Sequence, residues 1–266
     1  MKWYSVFVIV LVLLQNSCTK SNTVTPNVEV LGHAGISLHR DRAVFPANSF
    51  ESIRYAIDIL DADGVEVDVQ LTKDSVLVLY HDKYLDYSTD FSGCVSQFSY
   101  QEIKAANLDN TNCKIIGLEP VLKYIESRGK SVFLDIKSYD YCQEKATSIT
   151  GFNYALENSK SKLTQLFIEK IIVSNASTSF LNQLNHPNKC LEISNVTKGV
   201  NKLKAFGFQS VLINLTNVSK DDLIQLNSVK WGVLGVKDEW TIDDAIKLVP
   251  KFIITDNIAY TNKVTN

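Results

Sequence analysis

Five side chains in this sequence have the type and spacing to do chemistry together. Glu66 and Asp68 stand two residues apart in Val65-Glu66-Val67-Asp68-Val69, a run that is otherwise apolar. On a strand they share one face. Like charges so placed repel and lose hydration unless a cation or a basic group compensates. Asp135 repeats the pattern in Phe133-Leu134-Asp135-Ile136-Lys137. Carboxylate oxygens suit one hard divalent cation, Ca²⁺ or Mg²⁺. The alternative is a salt-bridge network built on Lys137. His33 follows Val30-Leu31-Gly32, and His81 follows Val78-Leu79-Tyr80. Near neutral pH one imidazole can accept a proton while the other donates one.

Such groups need elements to position them. Short β-branched runs recur at 28–31, 65–69, 76–80, 132–136, 171–174, 191–194, 211–214, 233–236 and 252–255. Segments with helical spacing of apolar residues lie between them, among them 49–60, 119–127, 178–184 and 241–248. This alternation predicts a parallel α/β sheet. Parallel neighbours need a crossover of about a dozen residues, and Val69 to Val76 is too short for one. Those two runs therefore form an antiparallel hairpin. The remaining eight strands make a TIM (β/α)8 barrel with an added hairpin after its second strand. If Asp74-Ser75 is a two-residue turn, Lys73 faces Val76 and Asp68 lies opposite His81, above the catalytic end of the barrel.

The chain has 266 residues, 45% of them hydrophobic, with a formal net charge of −2. That suffices for one large domain and leaves no electrostatic footprint for nucleic acid. Lys2, the apolar stretch Trp3–Leu14 and Cys18 directly after Ser17 resemble a bacterial lipoprotein signal. The domain reading is thus a signal at 1–18 ending on a lipidated Cys18, a polar tether at 19–27, and the barrel at 28–266. Membrane attachment through the lipid and a cell-envelope location follow. Cys94, Cys113, Cys142 and Cys190 would then face an oxidising compartment, where an even number can pair. Cys94 and Cys113 flank one loop-like region and are the expected partners.

Four blocks carry a family resemblance: Gly32-His33-Ala34-Gly35, the segment Pro46–Ser52, the segment Asp63–Asp74, and Tyr80-His81-Asp82. Together with Leu134–Lys137, Glu239–Thr241 and Ile254–Asp256, they resemble the glycerophosphodiester phosphodiesterase family from about Val28 onward. The resemblance implies a small-molecule phosphodiester substrate and a general acid/base pair, His33 and His81. It also implies a divalent-cation site of Glu66, Asp68 and Asp135, with Lys137 supporting the phosphate. The products would be an alcohol and glycerol phosphate, formed through a cyclic phosphate.

Three positions depart from the family pattern. Ala34 stands where Arg is usual, Ala47 where Glu is usual, and Asp135 where Glu is usual. A lysine does not reproduce the bidentate phosphate contact of a lost arginine. The 36–45 loop carries His39, Arg40 and Arg42, as a replacement guanidinium or as solvated loop charge. Phe45, Tyr84, Tyr87, Tyr139 and Trp240 are candidates for shaping the pocket or packing its rim. Two rival readings keep the barrel: another phosphodiester as substrate, or a glycerophosphodiester-binding envelope protein with weakened catalysis.

Overall fold

The computed structural model describes residues 28–265. The expected signal, Cys18 and the tether lie outside the described residues. Among the described residues no helix is long and apolar enough to cross a membrane.

Among the described residues eleven strands form in chain order: β1 (Glu29–Gly32), β2 (Gly64–Leu71), β3 (Leu77–Leu79), β4 (Ser131–Ile136), β5 (Tyr139–Asp140), β6 (Lys145–Ala146), β7 (Ile171–Asn175), β8 (Lys189–Ile193), β9 (Ser210–Asn214), β10 (Lys230–Val236) and β11 (Phe252–Thr255). The main sheet runs β1-β11-β10-β9-β8-β7-β4-β2-β3, and β1 also pairs with β2. Eight parallel strands thus close on themselves, with β3 antiparallel on β2 as the extra arm. This is the expected TIM barrel, and each of its strands overlaps a β-branched run in the sequence.

Alternation along each strand sets what the barrel contains. Val65, Val67 and Val69 of β2 join helix residues such as Ile53, Val121 and Leu122 in the main core between strands and helices. The opposite face of the strands supplies Leu31, Phe133, Ile172, Cys190, Leu212, Phe252 and Ile254, which fill the barrel interior as a second apolar cluster. Gly232 is required there, because a Cβ would meet the Phe252 ring at 2.1 Å. The carboxylates of β2 and β4 rest on this apolar floor, with Asp68 in register with Asp135.

The hairpin differs from expectation by one residue. Gln70 pairs with Val78 and Leu71 with Leu77, which sets Asp68 across from Tyr80 rather than His81. The loop has three residues, Lys73–Ser75, closed by Thr72 N donating to Val76 O at 2.9 Å. Ser75 takes φ +60°, as a three-residue hairpin loop demands of its last member. Thr72 Oγ1 and Tyr100 N both donate to Asp74 Oδ1 and fix the turn. The strand ends at Leu79, so His81 leaves the ladder and still reaches the barrel mouth.

The cysteine expectation is also corrected. Cys94 bonds Cys142, 48 residues away, with Cα atoms 6.0 Å apart. Cys113 is free and buried in a small core with Val95, Ile103, Leu108 and Ile115, formed by the segment after β3. Cys94 lies at the start of the turn Val95–Gln97, within reach of the loop of the β5–β6 hairpin. Nearness along the chain did not decide the pair, because a disulfide requires Cα atoms within about 7 Å and converging side chains. The bond ties the segment after β3 to the hairpin after β4. Replacing both cysteines by serine should lower the unfolding free energy by roughly 2–4 kcal/mol, the usual worth of a closed loop of this size. Urea denaturation with and without reductant measures it; identical midpoints would show that the bond does not constrain the unfolded chain.

Candidate active site at the barrel mouth

The C-terminal ends of the parallel strands gather the charged residues picked out from the sequence. Glu66, Asp68 and Asp135 each offer an oxygen, and these oxygens lie within 4.8 Å of one another. Lys137 Nζ reaches Asp68 Oδ1 at 2.7 Å and Asp135 Oδ2 at 2.6 Å. His33 approaches Glu66 Oε2 with Nε2 at 3.9 Å. His81 lines a cavity of about 610 Å³ together with Asp135, Lys137, Asn175 and Glu192.

Backbone just after β1 holds one carboxylate of β2, and the side chain of Asn48 holds the other. Ala34, at φ +49°, donates its N–H to Glu66 Oε2 at 2.9 Å. Asn48, at φ +61°, clamps Asp68 from both sides. Its Nδ2 donates to Asp68 Oδ2 at 2.7 Å, and its Oδ1 accepts from Asp68 N at 2.9 Å. Asn48 N in turn donates to Ala34 O at 2.8 Å. Asparagine tolerates the left-handed conformation better than other non-glycine residues, so the turn and the clamp come from one side chain.

Both histidines are oriented by carboxylates to which the sequence alone assigned no role. His33 Nδ1 bonds Asp256 Oδ1 at 3.0 Å, and the same oxygen accepts from Ser37 Oγ and Leu38 N. His81 Nδ1 bonds Asp82 Oδ1 at 2.9 Å, while Ser88 Oγ donates to Asp82 Oδ2. A carboxylate only accepts, so Nδ1 carries the proton in both rings and Nε2 is left for chemistry. The signals were positional: Asp82 adjoins His81, and Asp256 directly follows the last barrel strand. A fourth inward carboxylate, Glu192, carried no such signal. It accepts from Ser174 Oγ at 2.9 Å and belongs to the face of β8 opposite Leu191.

The electrostatics are those of a site with too much negative charge. Burial, reinforced by the Asp68 charge, pushes the Glu66 carboxyl up, although His33 opposes it. Burial beside Asp135 pushes Glu192 up likewise. Burial would raise Asp68 as well, but Lys137, His81 and the Asn48 hydrogen bond hold it low. Burial lowers the Lys137 affinity for its proton, and the charges of Asp68 and Asp135 more than reverse that. Buried hard oxygen donors with surplus charge fit a divalent cation.

Neither loop arginine fills the place of the missing guanidinium. Arg40 pairs with Asp109 and donates to Tyr87 O. Arg42 pairs with Asp238 at 2.8 Å and donates to Lys237 O. Both strap the 36–45 loop across the rim. His39 brings Nε2 to 3.7 Å from Asp256 Oδ2. Of the aromatic candidates, Tyr87 and Tyr139 line the cavity. Tyr84 packs edge-on against Tyr87, and Phe45 against Tyr55. Trp240 is 66% exposed.

Burial lowers the His33 pKa, but the Asp256 hydrogen bond and the charges of Glu66, Asp256 and Asp68 outweigh it and raise the value to about 9. The folded pKa lies above the ordinary 6.5, so protonation of His33 stabilises the fold. That contribution is complete below pH 6.5 and lost as pH climbs through about 9. In EDTA, NMR titration of Asp256→Asn should show the His33 pKa lowered by about a unit or more. An unchanged His33 titration would remove Asp256 as its partner.

In sequence and in fold the chain is similar to known proteins. The sequence profile of the glycerophosphoryl diester phosphodiesterase family matches residues 39–258. A glycerophosphodiester phosphodiesterase of Caldanaerobacter subterraneus is 41% identical over 75 residues, 28% of each chain. One from Bacillus altitudinis is 31% identical over 104 residues, 36% of this chain and 42% of that one. The matched stretches span from about a quarter to about half of the curated relatives' length. Among solved structures, an Oleispira antarctica phosphodiesterase in complex with the product sn-glycerol-3-phosphate superposes with a TM-score of 0.76. It is 16% identical and covers 89% of this chain and 96% of its own.

Proposed function

The chain belongs to the glycerophosphoryl diester phosphodiesterase family, and we propose that it hydrolyses a glycerophosphodiester to an alcohol and glycerol phosphate. The observation that carries this reading is the pair of imidazoles, each anchored through Nδ1 by its own carboxylate, around one cluster of three acids. Two imidazoles that each keep Nε2 clear of the anchoring carboxylate suit a displacement at phosphorus, where one proton leaves a nucleophile and another joins the leaving group.

In this reading one imidazole accepts the proton of the glycerol hydroxyl as its oxygen bonds phosphorus. The other protonates the departing alkoxide, which leaves as the free alcohol. The roles then reverse: a water loses its proton to the second imidazole and opens the cyclic phosphate to glycerol phosphate. Glu66, Asp68 and Asp135 would hold one divalent cation, Ca²⁺ or Mg²⁺, which when bound would screen the charge on a phosphate oxygen. Lys137, held at the cluster by two carboxylates, would turn its ammonium toward the phosphate.

Substrate choice is where this chain departs from its family. With Ala34 in place of arginine, and Arg40 and Arg42 committed to Asp109 and Asp238, guanidinium recognition of the phosphate is absent among these three positions. Another phosphodiester, such as a lysophospholipid or a glycan phosphodiester, is therefore the second reading. Export to the cell envelope, with a lipid on Cys18 holding the protein to a membrane, completes the proposal. It is supported by the lipoprotein-like N-terminus and by a disulfide that persists in oxidising compartments.

The purified protein should release glycerol phosphate from at least one glycerophosphodiester, with activity abolished by EDTA and restored by Ca²⁺ or Mg²⁺. His33→Ala and His81→Ala should each lower kcat by about 10²–10⁴-fold. A folded protein with no metal-dependent turnover on any phosphodiester would rule the enzyme reading out.

A further inference from the structure

Beside the active-site cavity lies a second one, of about 240 Å³, between the β2–β3 loop, the segment after β3 and the β5–β6 hairpin. Its lining includes Lys73, Lys83, Lys137 and Lys145. Lys137 is neutralised by Asp68 and Asp135. The other three make no ion pair among the described residues. Asp140 lines the same cavity, and it and the nearby acids accept hydrogen bonds from neutral donors. Asp140 Oδ1 accepts from the backbone of Cys142 and Gln143, Asp74 Oδ1 accepts from Thr72 and Tyr100, and Glu102 Oε2 accepts from Ser99.

The two cavities share a wall. Gln70, Lys83, Lys137, Tyr139 and Tyr141 line both. Tyr139 and Tyr141 meet edge to face at 4.9 Å, and Lys83 Nζ stands 4.5 Å from the Tyr141 ring centre. The disulfide fixes this wall, because Cys94 lines the second cavity and binds Cys142 of the hairpin loop. Three ammonium groups lining one cavity, against the single carboxylate of Asp140 in the same lining, leave it a net positive charge that a bound anion offsets. A phosphate accepts from several ammonium donors at once.

Resting on the phosphodiesterase reading, we infer that this lysine-lined cavity is a subsite for a second phosphate carried on the substrate beyond the bond that is cleaved. The substrate class is a glycerophosphodiester whose leaving group itself bears a phosphate. The first phosphate would lie at Lys137 and the acid cluster, the second among Lys73, Lys83 and Lys145. The Tyr139–Tyr141 pair would flank the polyol between them. Selectivity for the doubly charged substrate would then come from lysines outside the catalytic cluster.

The test uses two probes, 1,3-bis(glycerophospho)glycerol with two phosphodiesters and sn-glycero-3-phosphocholine with one. The variant is Lys73→Ala/Lys145→Ala in the full chain, two exposed positions whose loss leaves the core intact. The double variant should lower kcat/KM for the doubly charged probe by about tenfold, mostly through KM, and leave the other within about twofold. The difference should shrink as salt is raised. Calorimetric titration of the same probes into the His33→Ala/His81→Ala protein, with and without the lysine changes, reads binding without turnover. It should show the same selective loss. Equal losses for both probes, or no loss for either, would overturn the subsite. Selective binding without turnover of any phosphodiester by the unmodified enzyme would instead overturn the functional reading alone.

Discussion

The structure depends on one electrostatic constraint: four inward carboxylates at the mouth of an apolar barrel, with one lysine between them. Glu66, Asp68, Asp135 and Glu192 stand on three strands above a floor that includes Phe133, Ile172, Leu212 and Phe252. Such a floor offers no hydration, so each charge must find a partner from the rim. Lys137 serves Asp68 and Asp135, Asn48 and Ala34 supply donors, and His33 and His81 complete the set. The surplus that remains is what a bound cation would offset.

This constraint explains the strained backbone after β1. Ala34 and Asn48 both adopt left-handed conformations, at φ +49° and +61°, and both hold a β2 carboxylate. A non-glycine residue in that region costs of order 1 kcal/mol or more. The cost is offset because relaxing the first turn would take the backbone donor from buried Glu66, and relaxing the second would leave the Asp68 carboxylate with Lys137 alone. Ala34 is fully buried, and its backbone contact to Glu66 would survive any side chain that fits. Alanine at this position therefore leaves the backbone scaffold beneath the site intact.

The rim is built differently from the barrel. The segment after β3 has its own small core, and it is joined to the rest by Arg40 on Asp109 and by the Cys94–Cys142 bond. These ties cross between segments that share no sheet. They set the walls around the acid cluster without touching the acids themselves.

Much of the fold is legible in the sequence. β-Branched runs mark all nine strands of the main sheet, and the short gap from Val69 to Val76 alone requires a hairpin. The alternation in 65–69 is enough to place Glu66 and Asp68 on one face, since a strand's period is fixed at two. What tertiary structure decided were the contacts made between distant segments. A three-residue turn rather than two shifted the hairpin register. Cys94 chose a partner 48 residues away because only folding brings the β5–β6 hairpin against it. Asp256 reaches His33 across 223 positions because the barrel closes β11 on β1. Local chemistry fixes which face a residue takes, whereas closure of the sheet fixes which faces meet.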